Sequence, residues 1–225
     1  MKILAIDTCF NKSYLVLKDE NNIISNEIIE SSDKNYHSAF LISKIRDILS
    51  KNHLYVRDLD AIGIDIGPGS FTGIRAGITI ARVLAQQTDL KLVGVPSLQI
   101  LSCINSSDKE TIVITDARKN KVYYSKYKEK RIIIPPMLME KNEILSNIGN
   151  NSYIITDLSI SDYLNEFGIQ AEKYEDNDKN LGIYLSDIVT DKLKKENDDF
   201  HWAKVKPLYI QPPSITIPKG NKLNV

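Results

Sequence analysis

The stretch Gly63-Ile64-Asp65-Ile66-Gly67-Pro68-Gly69-Ser70-Phe71-Thr72-Gly73-Ile74-Arg75-Ala76-Gly77 holds five of the ten glycines in a chain of 225 residues. It lies where an apolar, strand-like run, Ala61–Ile66, meets a stretch of helical periodicity from about Ser70 to Gln87. Two physical demands put glycine at such a junction. One is a backbone that approaches an anion at a helix N-terminus; the other is a helix that packs unusually close to a neighbour.

On the N-terminal side of the junction, Ile3–Thr8 reads as a central strand. Tyr14–Lys18 and Ile23–Glu30, joined by Asp19-Glu20-Asn21-Asn22, read as a hairpin continuing from it. Asp33-Lys34-Asn35 leads into a helix from about His37 to Lys51. On the C-terminal side, Lys91–Val95 is strand-like, and Pro96-Ser97 starts a short helix through Ile104. Asn105-Ser106-Ser107-Asp108 punctuates the chain, which predicts a first lobe over residues 1–104 and a second over 105–225. In the second, Thr111–Thr115, Val122–Lys128 and Tyr153–Thr156 read as strands, with Asp116–Asn120 as a turn. Glu140–Ile148, Ser161–Phe167 and Leu181–Lys194 read as helices, and Pro207–Pro218 as a proline-rich extended tail. The order predicts an α/β protein of two lobes with mixed sheets and flanking helices. No short-period repeat is visible.

Composition narrows the class. A chain of this length buries roughly 70% of the surface its unfolded form exposes. Lys and Arg (29) balance Asp and Glu (29), so no global basic field is present to hold nucleic acid. Cys9 and Cys103 stand far apart, with neither disulfide nor metal-knuckle spacing. Asp7 interrupts the first apolar run too early for a signal-peptide core, and no segment is long enough to span a bilayer, so a cytoplasmic protein is expected.

The chemistry-bearing motifs are incomplete. A P-loop requires Lys-Ser/Thr after its last glycine, whereas Gly73 is followed by Ile74-Arg75. A dinucleotide turn requires a third glycine where Thr72 stands. A structural turn with Ser70 or Thr72 capping the helix is the favoured reading. The histidines, His37, His53 and His201, are scattered, and the serine of Gly67–Phe71 does not fit a nucleophile elbow. Asp7 ends the first strand where a nucleotide-binding fold organises Mg²⁺ and phosphates. The following Thr8-Cys9-Phe10-Asn11 lacks a phosphate-admitting glycine. A degenerate nucleotide site at Asp7, Thr8, Gly67 and Gly69 is the most these residues support, with no catalytic residue, metal or cofactor expected.

Helical geometry favours packing. Over Ser70–Gln87, Thr72, Arg75, Thr79, Arg82 and Gln86 share one narrow arc, and nearly all the rest is apolar or small. Such a helix should be covered by more than its own sheet. Gly73, Gly77 and Ala81 recur every four residues as a smooth ridge for a close neighbour, either the preceding helix or another protein. Phe40 lies off that preceding helix's core stripe of Leu41, Ile42, Ile45, Ile48 and Leu49.

Together these segments resemble the bacterial tRNA threonylcarbamoyladenosine biosynthesis proteins of the TsaB (YeaZ) type. These are glycoprotease-like members of the actin/Hsp70/sugar-kinase superfamily. The resemblance rests on Gly67–Arg75, Ile6-Asp7-Thr8, and His37-Ser38 followed by Leu41-Ile42 and Ile45. Asp116-Ala117-Arg118 with Val122-Tyr123, and Pro207-Leu208-Tyr209-Ile210 as a C-terminal strand, extend it into the second lobe. Ala39, Ser43, Lys121 and Gln211 depart from the family pattern.

The resemblance implies two actin-like (ribonuclease H-like) lobes and a non-catalytic subunit that pairs with a TsaD-like catalytic homologue. A TsaE-like ATPase docks to the pair, and tRNA is met only through the complex. It implies an interface on the first two helices through His37, Phe40, Leu41, Phe71, Gly73, Ile74, Gly77, Ile78 and Ala81, the same face serving a possible homodimer. The alternative is a stand-alone ATPase or phosphotransferase of the same fold. The basic cluster Arg118-Lys119, Lys121, Lys126, Lys128, Lys130 and Arg131 reads as a solvated hairpin, with contact to tRNA as the competing reading.

Overall fold

A computed structural model describes residues 1–30, 37–149, 151–176, 180–195 and 199–211, with the side chains of 37–39 excepted. Two five-stranded mixed sheets are built on one plan. The first comprises β1 (Lys2–Asp7), β2 (Ser13–Asp19), β3 (Asn22–Ile29), β4 (Ala61–Asp65) and β5 (Lys91–Val95), in the order β3-β2-β1-β4-β5. The second comprises β6 (Glu110–Arg118), β7 (Lys121–Lys128), β8 (Arg131–Glu140), β9 (Ser152–Thr156) and β10 (Glu172–Lys173), in the order β10-β9-β6-β7-β8. In each, a central strand pairs antiparallel with the next strand of a three-strand meander and parallel with a strand reached by a crossover. The shared plan carries no sequence repeat.

Alternation along the strands sends side chains to two cores. Leu4 and Ile6 of β1 join Ile62 and Ile64 of β4 beneath α1 (His37–Lys51) and α2 (Phe71–Thr88). Ile3 and Ala5 face the opposite core, which contains α3 (Ser97–Ser102), α6 (Leu181–Leu193) and Val113, Tyr127 and Ile155 of the second sheet. That middle core therefore joins both sheets. α6 packs against β1, β2, β4 and β5. It comes close because Gly63 has no side chain: a Cβ there would lie 2.5 Å from Val189 Cγ2. A third core lies on the far face of the second sheet, under α4 (Ile144–Asn147) and α5 (Leu158–Asn165).

The capping residues are those the local sequence offers. Asp157 Oδ1 accepts from Ile160 N at 3.0 Å at the start of α5, and Asn180 Oδ1 accepts from Gly182 N at 2.8 Å at the start of α6. Several boundaries differ from the expectations. Residues 131–140, not anticipated as a strand, form edge strand β8; Pro135 and Pro136 disguise it, and an edge tolerates their missing donors. The Glu140–Ile148 helix contracts to a short turn followed by Ile144–Asn147. Pro207–Ile210 is extended without being a strand, anchored where Leu208 N donates to Ile66 O at 2.8 Å. The Asp33–Asn35 lead-in and residues 212–218 of the tail lie outside the described residues. No helix among the described residues is long and apolar enough to cross a membrane.

Candidate functional site

Parallel pairing of β1 with β4, in register at Ile6 and Ile64, brings Asp7 and Asp65 together at one end of the sheet. Both are fully buried. Cys9 N donates to Asp7 Oδ1 at 2.9 Å; Gly67 N and Ser97 Oγ donate to Asp65 Oδ1 at 2.8 and 2.7 Å. The second oxygens, Asp7 Oδ2 and Asp65 Oδ2, have no hydrogen-bond donor among the described residues. Burial, with the neighbouring Asp65 charge, holds the Asp7 carboxyl well above the usual carboxylate range. Burial pushes Asp65 up to about 6, against the opposing bonds from Ser97 and Gly67. Like charges buried this close together oppose each other's ionisation, which favours the protonated form of Asp7. Asp7, Cys9 and Asp65 place ligand-type atoms within 4.8 Å of one another. Burial pushes the Cys9 thiol up as well, favouring its protonated form. Asp65 and Ser97 had read only as a strand residue and a helix start; their meeting with Asp7 depends on strand register.

The glycine turn closes on the chain itself. Ser70 N donates to Cys9 O at 2.8 Å, Ser70 Oγ accepts from Gly73 N at 3.2 Å, and Ile74 N donates to Ser70 O at 2.8 Å. Ser70, of the two residues proposed, is the cap of α2. Thr8 Oγ1 donates to Gly73 O at 2.7 Å. A Cβ at Gly69 would lie 2.4 Å from Cys9 O, and one at Gly73 1.8 Å from Thr8 O. These glycines let the turn and first helical step lie directly on the exit of β1. Gly67, at φ +95, takes a left-handed backbone that other residues resist. The helix N-terminus that would receive a phosphate is thus capped by Ser70 and packed on the Thr8-Cys9 segment.

The ridge of α2 also turns inward, which corrects the packing expectation. A Cβ at Gly77 would lie 2.4 Å from Thr8 Oγ1 and 3.2 Å from Ile64 Cδ1, and Ala81 is fully buried. The close neighbour of Gly73 and Gly77 within the chain is the end of β1 and not α1. Leu41, Ile74 and Ile78, expected at an interface, are buried in the first core. Phe40 and Phe71 are 53% and 38% exposed, joined by Val83 at 51% and by Ile42 at 65%, expected in the core stripe of α1. The side chain of His37 lies outside the described residues.

Beside α2, Arg75 lies 3.9 Å over the Phe71 ring, and its Nε donates to Tyr209 Oη at 2.9 Å. Arg82 lies 5.5 Å over Trp202. In the basic hairpin, Lys121 pairs with Glu140 at 3.0 Å, Lys126 with Glu110 at 3.4 Å, and Lys128 Nζ donates to Asp108 O at 2.7 Å. Three of the seven basic residues are thus engaged within the chain.

Over residues 22–198 the chain matches the family described as "TsaD: tRNA N6-adenosine threonylcarbamoyltransferase", and it belongs to that family. Among curated proteins it is similar to the tRNA threonylcarbamoyladenosine biosynthesis protein TsaB of Bacillus subtilis, at 32% identity over 149 residues, 65% of this chain and 64% of the relative. The Escherichia coli protein of the same name is 31% identical over 130 residues, 56% of this chain and 55% of the relative. The chain thus spans less than two thirds of the length of these relatives. YeaZ from Pseudomonas aeruginosa superposes with a TM-score of 0.70 at 20% identity, covering 92% of this chain and 99% of that one. A second Pseudomonas aeruginosa structure, described as similar to peptidase YeaZ, gives 0.74 at 19% identity over 93% and 99%. At such identity the superpositions establish a shared fold.

Proposed function

We propose that this chain is a non-catalytic subunit in the biosynthesis of N6-threonylcarbamoyladenosine in tRNA, acting in the cytoplasm. In this reading it binds a TsaD-like catalytic homologue, a TsaE-like ATPase joins the pair, and tRNA is met through the assembly. Its two lobes divide near Asn105, between the two sheets, and α6 returns to the first sheet. The observation that carries the reading is the closed corner at Asp7 in a member of this family. The carboxyls that would serve Mg²⁺ and phosphate are buried against each other, and the turn that would cradle phosphate is packed on β1. This weighs against a stand-alone ATPase or phosphotransferase.

The proposed contact face is the outer surface of α1 and α2, where Phe40, Ile42, Phe71 and Val83 expose apolar area, with His37 at its edge. The same face would serve self-association when the chain is alone. The test is reconstitution with the TsaD-like protein of the same cell. Ile42→Asp with Val83→Asp should abolish co-purification and threonylcarbamoyladenosine formation while leaving the circular dichroism unchanged, since both side chains are exposed. Normal assembly by that folded double variant would refute the face. Full modification of tRNA in cells lacking the chain would refute the role.

A further inference from the structure

Residues 71–88 of α2 include Arg75 and Arg82 and not one aspartate or glutamate. Both arginines line a groove of about 440 Å³ between the helix and residues 202–209, with Ile78, Val83 and Pro207 as apolar walls. Each guanidinium is held by aromatic rings: Arg75 over Phe71 and bonded to Tyr209, Arg82 over Trp202. Neither forms an ion pair among the described residues. The Nε bond of Arg75 is the one hydrogen bond either makes there. Two positioned guanidiniums with no ion-pair partner among the described residues, in an apolar-walled groove, suit planar carboxylates.

We infer that this groove docks an acidic segment of a protein partner, its carboxylates received by Arg75 and Arg82. The inference rests on the assembly reading above and names the chemistry of the partner. Arginine, tryptophan and tyrosine are the residue types that dominate binding energy at protein interfaces. The groove is continuous with the proposed contact face through Val83, which belongs to both. Nucleic acid fits less well. The Phe71 ring is flanked by Arg75 and Tyr209, and the Trp202 ring by Arg82 and His201, so these rings are already engaged by side chains of the groove. The chain's zero net charge supplies no field to gather a polyanion. Residues 212–225 contain Lys219 and Lys222 and no aspartate or glutamate.

The test is calorimetric titration of the full chain with the TsaD-like protein of the same cell, at low and high salt. Arg75→Glu with Arg82→Glu should weaken binding on the order of 100-fold. Arg82→Glu alone, which leaves the Phe71–Arg75–Tyr209 stack in place, should weaken it by about tenfold. Changing the partner's facing acidic residues to lysine should restore affinity to the reversed chain. Unchanged affinity for both folded variants overturns the groove and leaves the assembly reading standing. Absence of binding by the unaltered chain overturns both. If the isolated chain binds tRNA and Arg82→Glu abolishes it, phosphate is the anion and the proposal fails. It fails equally if the variants lose only self-association, which would assign the groove to a second copy.

Discussion

Asp7 and Asp65 end neighbouring parallel strands, and each leaves one oxygen without a donor in a site that water does not reach. Their folded-state values lie above those of the unfolded chain. The pair's contribution to stability is therefore complete below about pH 4, the unfolded carboxylate range, and is lost as pH rises through about 6 and beyond. Asp65→Asn keeps the shape, offers Asp7 an amide donor and removes one titration. The stability of the unaltered chain relative to that variant should fall by up to ~1.4 kcal/mol per pH unit between about 4 and 6, read from urea midpoints. Parallel pH profiles would show that Asp65 is not raised by the fold. At Gly73 the relevant contact is with backbone, since an added Cβ would meet Thr8 O at 1.8 Å, and backbone does not swing aside. Gly73→Ala should destabilise by at least ~1–3 kcal/mol in thermal or urea unfolding, as overpacked sites do. An unchanged midpoint would mean that α2 slides on β1 freely.

Helices α2 and α6 cover opposite faces of the first sheet, and each depends on glycine for its approach. Gly63 lies on β4 beneath Val189 of α6, with 2.5 Å between its missing Cβ and the valine methyl. Gly63→Val should lift α6 from the sheet and cost ~1–3 kcal/mol or more. Pairing it with Val189→Ala should recover part of the loss, a coupling that a double-mutant cycle measures. Additive losses would place α6 farther from β4 than its contacts indicate. For α2, the four-residue spacing of Gly73, Gly77 and Ala81 identified a helix requiring a close neighbour. Spacing carries no information on which side that neighbour lies. Strand β8 shows the opposite difficulty: Pro135 and Pro136 mask a strand because an edge needs hydrogen bonds on only one side.

At the scale of the molecule, two sheets of one topology share a middle core through α3 and α6, so the chain is expected to unfold as one cooperative unit. The closed corner at Asp7 gives a further expectation: calorimetry of the isolated chain with ATP and Mg²⁺ should show no binding heat. Tight binding abolished by Asp7→Ala would restore the nucleotide reading. Much of this architecture was legible in the sequence. Apolar runs such as Ile3–Ile6 and Lys91–Val95, the Asp19–Asn22 turn, and the family pattern from Gly67 to Arg75 are local features, set by propensity, periodicity and steric demand over a few residues. Those features determined most of the strands, the main helices, a cap at Ser70 or Thr72, and the family. Tertiary structure alone decided that Asp65 meets Asp7, that Gly73 and Gly77 face β1, and that Tyr209 and Trp202 return to brace Arg75 and Arg82. The ridge of Gly73 and Gly77, whose spacing suits the preceding helix or another protein, is where α2 lies against its own sheet. Such contacts join residues far apart in sequence, fixed by strand register and by the direction each helix face takes on packing, and no local pattern encodes either.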